Sequence, residues 1–441
     1  MVKNDERKII VSSVWISDLP KYVGQEVTVK GWVHRLRKVS NRLVFILFKD
    51  RSGLVQGVVS GRPDWLAEVV TEAAVEVVAQ VTATEQQASG VELQVREIRV
   101  VGLVLKELPF ELNQEEISAG LELQLDHRVL TLRHPKTQSI FKVQDEIVHA
   151  FRTFMRRASF TEIYTPKIVA SGTEGGSELF EIKYFESKAY LAQSPQFYKQ
   201  MVMGGGLQRV YEVGYAYRAE QSNTSRHLSE FLSLDIEMGF IQGLEDVLQV
   251  QEELLRFLMV HLQEHCAAEL ALFNVTLPTV GHIPRLRLKE IAAILQKEYG
   301  KELAELDLDS EGERLIGEYV KKKYDSDFLF ATHYGRANRA MYTQPSPDDP
   351  ETSESFDLIY KGMEMNSGAQ RVHELTVLED NIRYKGLDPA GFAHYLEIFS
   401  YGMPPHGGFA IGAARLTLKI LGLDNIREAV LFPRDRYRTS P

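Results

Sequence analysis

YRAEQSNTSRHLSEF, residues 217–231, lies between two apolar stretches rich in Val, Tyr, Leu and Ile. GGLQRVYEVGYAYRAE before it and FLSLDIEMGFI after it read as two strands, with a polar loop between them. On that reading Arg218–Ala219–Glu220 ends the first strand. Arg226–His227–Leu228 opens the second, and Phe231 follows on it. The residue types suit a nucleotide. An arginine fork grips phosphate bidentately, and an ionised glutamate only accepts, which fits an adenine amino group. A phenylalanine face can stack on a base. The same residues also make an ordinary surface hairpin laced with ion pairs, and this stretch alone leaves both readings open.

Two later stretches add to the first. GGFAIGAARLTLKIL (407–421) turns from glycines into an apolar-periodic helix. Gly407, Gly408 and Gly412 permit close backbone approach. Gly412–Ala413–Ala414–Arg415 sets Arg415 near a helix N-terminus, where the dipole favours an anion. Tight helix packing explains the glycines equally well. In KGMEMNSGAQRVH (361–373), Glu364 and Ser367 offer hard oxygens of the kind magnesium takes when it bridges phosphates.

Outward from these, the chain has 441 residues, enough for two or three domains. Residues 26–105 carry five short runs (EVTVKGWV, RLVFILF, LVQGVV, VEVVAQVTAT and VELQVREIRVVGLV) separated by turn residues. Five strands in so short a segment predict a small OB-fold barrel over residues 1–105. Residues 106–135, with Pro109 and no sustained period, read as a linker or hinge. Residues 136–441 mix helices and strands. Val143, Ile147, Phe151 and Phe154 mark one helix face, and residues 244–270 read as one long amphipathic helix.

Net charge is −10, which argues against general polyanion binding. From Lys30 to Arg51, however, seven basic residues face one acid, Asp50. That patch is either a polyanion contact or a solvated strand face. The one cysteine, Cys266, fits a reducing cytoplasm and excludes an intramolecular disulfide or a thiolate zinc cluster. The charged N-terminus shows no secretory signal. No run reaches the roughly 18 apolar residues of a membrane span.

Taken together, the words resemble the three signature motifs of class II aminoacyl-tRNA synthetases. Pro166 in FTEIYTPK resembles motif 1, residues 217–231 motif 2, and 412–415 motif 3. The resemblance is strongest to archaeal-type aspartyl-tRNA synthetases. It implies an α+β fold, with an N-terminal five-stranded OB-fold barrel before an antiparallel catalytic sheet flanked by helices. It also implies a cytoplasmic homodimer using ATP, L-aspartate, Mg2+ and tRNA-Asp. Arg218 would hold the α-phosphate, Glu220 the adenine with Phe231 beneath it, and Arg226, His227 and Arg415 the β- and γ-phosphates. Glu364 and Ser367 would support the metal.

For aspartate, Glu174 in SGTEGGSELF matches the family's substrate-contacting loop. Gln196, Phe197, Tyr198 and Lys199 in AQSPQFYKQ match its recognition segment, and Arg371 its side-chain carboxylate partner. A neutral amide would leave Lys199 and Arg371 unpaired, and that is the expected basis for refusing asparagine. Phe45 and Gln56 match the anticodon contacts. His34 stands where relatives that charge both tRNA-Asp and tRNA-Asn often carry His, so tRNA-Asn is a second candidate partner. Other features depart from the pattern: motif 3 has Ala410 for the usual Gly and Ala414 for the usual acid, and the motif 2 loop is asparaginyl-like. They keep a second reading open, a divergent paralogue that adenylates aspartate for a non-tRNA acceptor.

Overall fold

The computed structural model describes residues 13–441 except 41, 88, 173–177, 222–223 and 304. The chain divides into two compact units between Gly120 and Leu121.

In the first unit β1 (Glu26–Ser40), β2 (Leu43–Asp50), β3 (Gly53–Ser60), β4 (Ala74–Ala83) and β5 (Val91–Gly102) close into a barrel in the order β1-β2-β3-β5-β4. Strand alternation decides what is inside. Val44, Ile46 and Phe48 are buried with Val55, Val59, Val77 and Leu93. β1 runs seven residues past the expected Val33, and that extension carries exposed Arg35, Arg37 and Lys38. The basic patch is smaller than its sequence count. Lys49 is buried against Glu72 at 3.4 Å, and Lys30 pairs with Glu76 at 2.9 Å.

The larger unit is built on an eight-stranded sheet. Its first strand is β6 (Thr161–Glu162). A small sheet follows of β7 (Ile168–Val169), β8 (Glu181–Tyr184) and β9 (Ser187–Leu191). Then come β10 (Arg209–Tyr217), β11 (Glu230–Gly239), β12 (Arg285–Arg287), β13 (Phe328–Thr332), β14 (Ser355–Tyr360), β15 (Met363–Arg371) and β16 (His406–Gly412). The main sheet runs β12-β13-β14-β15-β16-β11-β10-β6. Its pairs are antiparallel except β12 with β13 and β10 with β6.

The helices Pro135–Arg157, Leu244–His265 and Ala413–Leu421 share one core with Leu234, Ile236 and Met238 of β11. The alternate residues Ser233, Asp235 and Glu237 are also buried, so β11 is covered on both faces. Of the expected helix face, Val143, Ile147 and Phe151 are buried, while Phe154 sits at its rim near Phe257.

Three boundaries differ from the sequence reading. The long helix breaks at Cys266, whose φ of −125° is not helical. β10 ends at Tyr217 and β11 begins at Glu230, so Arg218–Glu220 and Arg226–Leu228 lie in the loop, where side chains can turn towards a ligand. The chain from Leu121 onward, read as part of a connector, belongs to the larger unit. There Arg128 is buried and donates to the carbonyls of Glu428, Val430 and Leu431. Partners some 300 residues away leave no local signal in the sequence.

Candidate active site

A cleft of about 330 Å³ opens in the larger unit over β10, β11, β15 and β16. It gathers Gln196, Lys199, Arg218, Glu220, Arg226, His227, Leu228, Phe231, Glu364, Ser367, Arg371, Gly412, Ala414 and Arg415 from four separated stretches of chain. Ala219 and Ala413 lie beside it without lining it. Phe197 does not face it, since its ring stacks on Tyr395 at 4.2 Å in an apolar cluster. Tyr198 is half-buried outside the lining. Helical spacing explains the difference, because Gln196 and Lys199 share one face of the helix Gln196–Val202 and Phe197 takes another. Glu174 lies outside the described residues.

At one end the cleft is cationic. The Arg218 guanidinium lies over the Phe231 ring at 5.5 Å. Its Nε is buried without a hydrogen-bond partner among the described residues, as a group awaiting a ligand would be. His227 Nδ1 is 2.6 Å from Thr224 Oγ1. Arg415 Nη1 approaches Glu364 Oε1 at 3.6 Å and donates to the Glu364 carbonyl at 3.4 Å. Glu364 thus supplies Arg415 with a carboxylate, although position 414 carries none. Ser367 Oγ donates to the same Glu364 oxygen at 3.3 Å. Burial and the nearby carboxylate of Asp357 raise the Glu364 carboxyl above its ordinary range. Asp357 is held bidentately by Arg339 at 2.9 and 2.7 Å. Burial also pushes the carboxyl of Glu313 up to about 7; its Oε2 accepts from the Glu364 backbone N–H at 3.0 Å.

The other end is a buried charge cluster. Lys199 Nζ is 3.1 Å from Asp235 and 3.4 Å from Glu237. Arg371 Nε donates to Glu237 at 3.1 Å, and its Nη2 to the Gly408 carbonyl at 3.0 Å. The two cations therefore do not stand unpaired, contrary to the sequence reading. Two bare buried cations would cost several kcal/mol, and the chain supplies two carboxylates against them. Burial alone would raise Glu237, but Arg371 and Lys199 outweigh it and hold its carboxyl below the usual range. His406 adds no charge, because burial lowers it to about 4. Its Nδ1 donates to the Pro404 carbonyl, leaving Nε2 to accept from Gln200.

Asp235, Glu237, Asp357 and Glu313 were missed in the sequence. In FLSLDIEMGF the alternation of apolar and polar residues identifies a strand but does not say what meets its polar face. The available signal was that both neighbouring strands are also apolar, so β11 is central and its polar face must be enclosed.

Gly408 is needed where it stands. A Cβ there would lie 2.6 Å from Glu237 Oε2 and press on the Ile236 carbonyl. At Gly412 the nearest atom is 3.7 Å away, so close approach does not explain that glycine.

On the barrel, Phe45 stands opposite Arg37 and Val58, and Gln56 opposite Leu47. These residues share the outer face, so Phe45 is not a core residue. His34 sits at the irregularity between Val33 and Arg35 and is 7% exposed.

A nucleotide-sized cleft with arginines at one end and a compensated charge cluster at the other, in a chain that also carries a closed five-stranded barrel, is the build of an adenylate-forming synthetase. The chain belongs to the family of class II tRNA synthetases (D, K and N), whose description matches residues 120–436. Residues 27–101 match the OB-fold nucleic acid binding domain. An aspartate–tRNA(Asp/Asn) ligase of Thermus thermophilus is 46% identical over 97% of this chain and 100% of its own length. An aspartate–tRNA(Asp) ligase of Pyrococcus abyssi is 39% identical over 95% and 97%. Asparaginyl-tRNA synthetase from Pyrococcus horikoshii, solved with asparaginyl-adenylate, superposes with a TM-score of 0.91 at 32% identity, covering 98% of this chain and all of that one.

Proposed function

We propose that this protein activates L-aspartate with ATP and transfers it to the 3′ end of tRNA-Asp and tRNA-Asn. The observation that carries this is the cleft itself, with Arg218 and Arg415 at one end and Lys199 and Arg371 at the other. The Thermus thermophilus and Pyrococcus abyssi relatives, matched over nearly their whole length, are aspartate–tRNA ligases, the first of them of the Asp/Asn kind. The alternative of a non-tRNA acceptor has no support among them, and the nucleic-acid-binding barrel is retained.

In the first step a carboxylate oxygen of aspartate attacks the α-phosphorus, a P–O bond forms, and pyrophosphate leaves. That carboxylate is already ionised at pH 7, so no general base is needed. Positioning and charge stabilisation do the work. Arg218 neutralises charge at the α-phosphate, Glu220 reads the adenine, and Phe231 stacks on it. Arg226, His227 and Arg415 hold the outer phosphates. Glu364 and Ser367 would hold Mg2+, which fits their paired hard oxygens and the near carboxylate of Asp357. When bound, it would neutralise phosphate charge.

Selection of aspartate rests on Lys199 and Arg371, with Gln196 beside them and Glu174 as a further contact. Because both cations already carry carboxylates, discrimination comes from the difference between adding an anion and adding an amide to a balanced cluster. On the barrel, Phe45 stacks on an anticodon base, Gln56 reads an edge, and His34 admits both tRNAs. The protein acts as a cytoplasmic homodimer. What supports the dimer is the edge position of β6, followed by Tyr164 at 80% exposure. No described helix is long and apolar enough to cross a membrane.

The test is aspartate-dependent ATP–pyrophosphate exchange, followed by charging of purified tRNA-Asp and tRNA-Asn side by side. Absence of exchange sinks the activity. Charging of tRNA-Asp alone sinks the relaxed specificity.

A further inference from the structure

Glu313 lies outside the cleft lining, on the helix Ser310–Tyr324, yet it touches two residues of the nucleotide end. A single oxygen makes both contacts. Glu313 Oε2 accepts from the backbone N–H of Glu364 at 3.0 Å and lies 3.6 Å from Arg226 Nη1. Ser310 Oγ, one turn earlier, accepts from the same Arg226 Nη1 at 3.2 Å. Arg226 is therefore docked on the first turn of this helix, and the start of β15 hangs from the same carboxylate.

The helix cannot slide. Asp309 caps its N-terminus by accepting from Gly312 N at 2.7 Å. Gly317 meets Gly362 so closely that a Cβ on Gly317 would lie 2.6 Å from the Gly362 Cα. Gly362 itself turns the β14–β15 hairpin with φ of +71°. Backbone against backbone thus fixes the height of Glu313 against the hairpin. Glu313 is 7% exposed, so its orientation is set from all sides.

We propose that Glu313 is a positioning residue for nucleotide activation, setting Arg226 on the outer phosphates and Glu364 on the metal side through one shared carboxylate oxygen. The proposal rests on the reading of the cleft as an ATP site. It assigns the helix Ser310–Tyr324 a part in the chemistry, since a shift of Glu313 would move both ends of the phosphate site together. Glu313 touches no reacting atom and acts through Arg226 and Glu364.

ATP–pyrophosphate exchange in the full-length protein tests it, with ATP, aspartate and Mg2+ varied in turn. Glu313→Gln keeps an acceptor for the Glu364 N–H but removes the carboxylate that faces Arg226. It should raise the KM for ATP about five- to tenfold with the KM for aspartate unmoved. Glu313→Ala frees the start of β15 as well, and the Mg2+ concentration for half-maximal rate should rise about fivefold. Arg226→Ala with Glu313→Gln should be no worse for ATP than Arg226→Ala alone. An unchanged ATP KM in Glu313→Gln overturns the proposal. So does an equal rise in both substrates' KM with a lowered Tm, which marks a structural role. If Glu313→Ala does not fold, Glu313→Gln and Ser310→Ala decide the matter on ATP KM alone. A wild-type protein with no exchange activity would instead overturn the reading of the site as ATP-using.

Discussion

Arg371 and Glu237 form a buried ion pair at 3.1 Å, each less than 6% exposed, with Lys199 within 3.4 Å of the same glutamate. The pair ties β15 to β11 across the site. Removing Arg371 leaves Glu237 buried with Lys199 alone, which Asp235 already shares. Arg371→Met should therefore cost about 3–5 kcal/mol of stability, read by urea denaturation. The pH dependence follows from the lowered pKa of Glu237. Its stabilisation is fully present above its ordinary value of 4.5 and is lost as pH falls through the lower folded value. The stability gap between wild type and Arg371→Met should be flat from about pH 5 to 8 and narrow in more acid solution. A gap that widened with acid would contradict this account.

Arg218 is the opposite case. Its Nε is buried without a partner among the described residues, and its guanidinium rests on Phe231. Arg218→Ala should lower kcat for pyrophosphate exchange by about 10²–10³. Thermal denaturation should show little loss of Tm, because Arg218 makes no ion pair with another described residue. A large fall in both would mean that Arg218 is structural.

Two glycines of one strand, Gly408 and Gly412, should part company. Gly408→Ala forces a Cβ against Glu237 and the Ile236 carbonyl, and should destabilise by about 1–3 kcal/mol. Gly412→Ala meets nothing within 3.7 Å and has an ordinary negative φ of −72°, so it should be close to neutral for folding. Denaturation midpoints of the two variants compare them directly.

On the barrel, the outward Phe45 predicts a stacking contact. Phe45→Ala should raise the KM for tRNA by roughly tenfold or more, at about 1–3 kcal/mol per stacked base. Gln56→Ala should relax discrimination at one anticodon position. Steady-state charging with wild-type and anticodon-mutated tRNA checks both. A Phe45→Ala protein that instead loses Tm with an unchanged tRNA KM would return Phe45 to the core.

Much of the architecture was legible because it is periodic. Five alternating runs made the barrel, and 3.6-residue spacing placed Val143, Ile147 and Phe151 in the core. The cationic end was legible too, since Arg218, Glu220, Arg226, His227 and Arg415 fall in short words whose residue types already suggest phosphate and adenine. Their order along the chain, with the family resemblance, was enough to bring them to one place. The amino-acid end was not legible to the same depth. Lys199 and Arg371 could be picked out, but nothing local singled out Asp235, Glu237 or Glu313. Whether an alternating polar residue meets water or a buried cation depends on what covers the strand, and no local pattern carries that information. The sequence by itself determined the class of fold and picked out the arginines that gather at one end of the cleft, through periodicity, short-range residue chemistry and the family resemblance. The tertiary structure alone decided that the buried cations of the cleft are charge-balanced, because only the setting of β11 beside β16, with β15 on the other side of β16, takes those carboxylates out of water and brings them within 3.5 Å of Lys199 and Arg371.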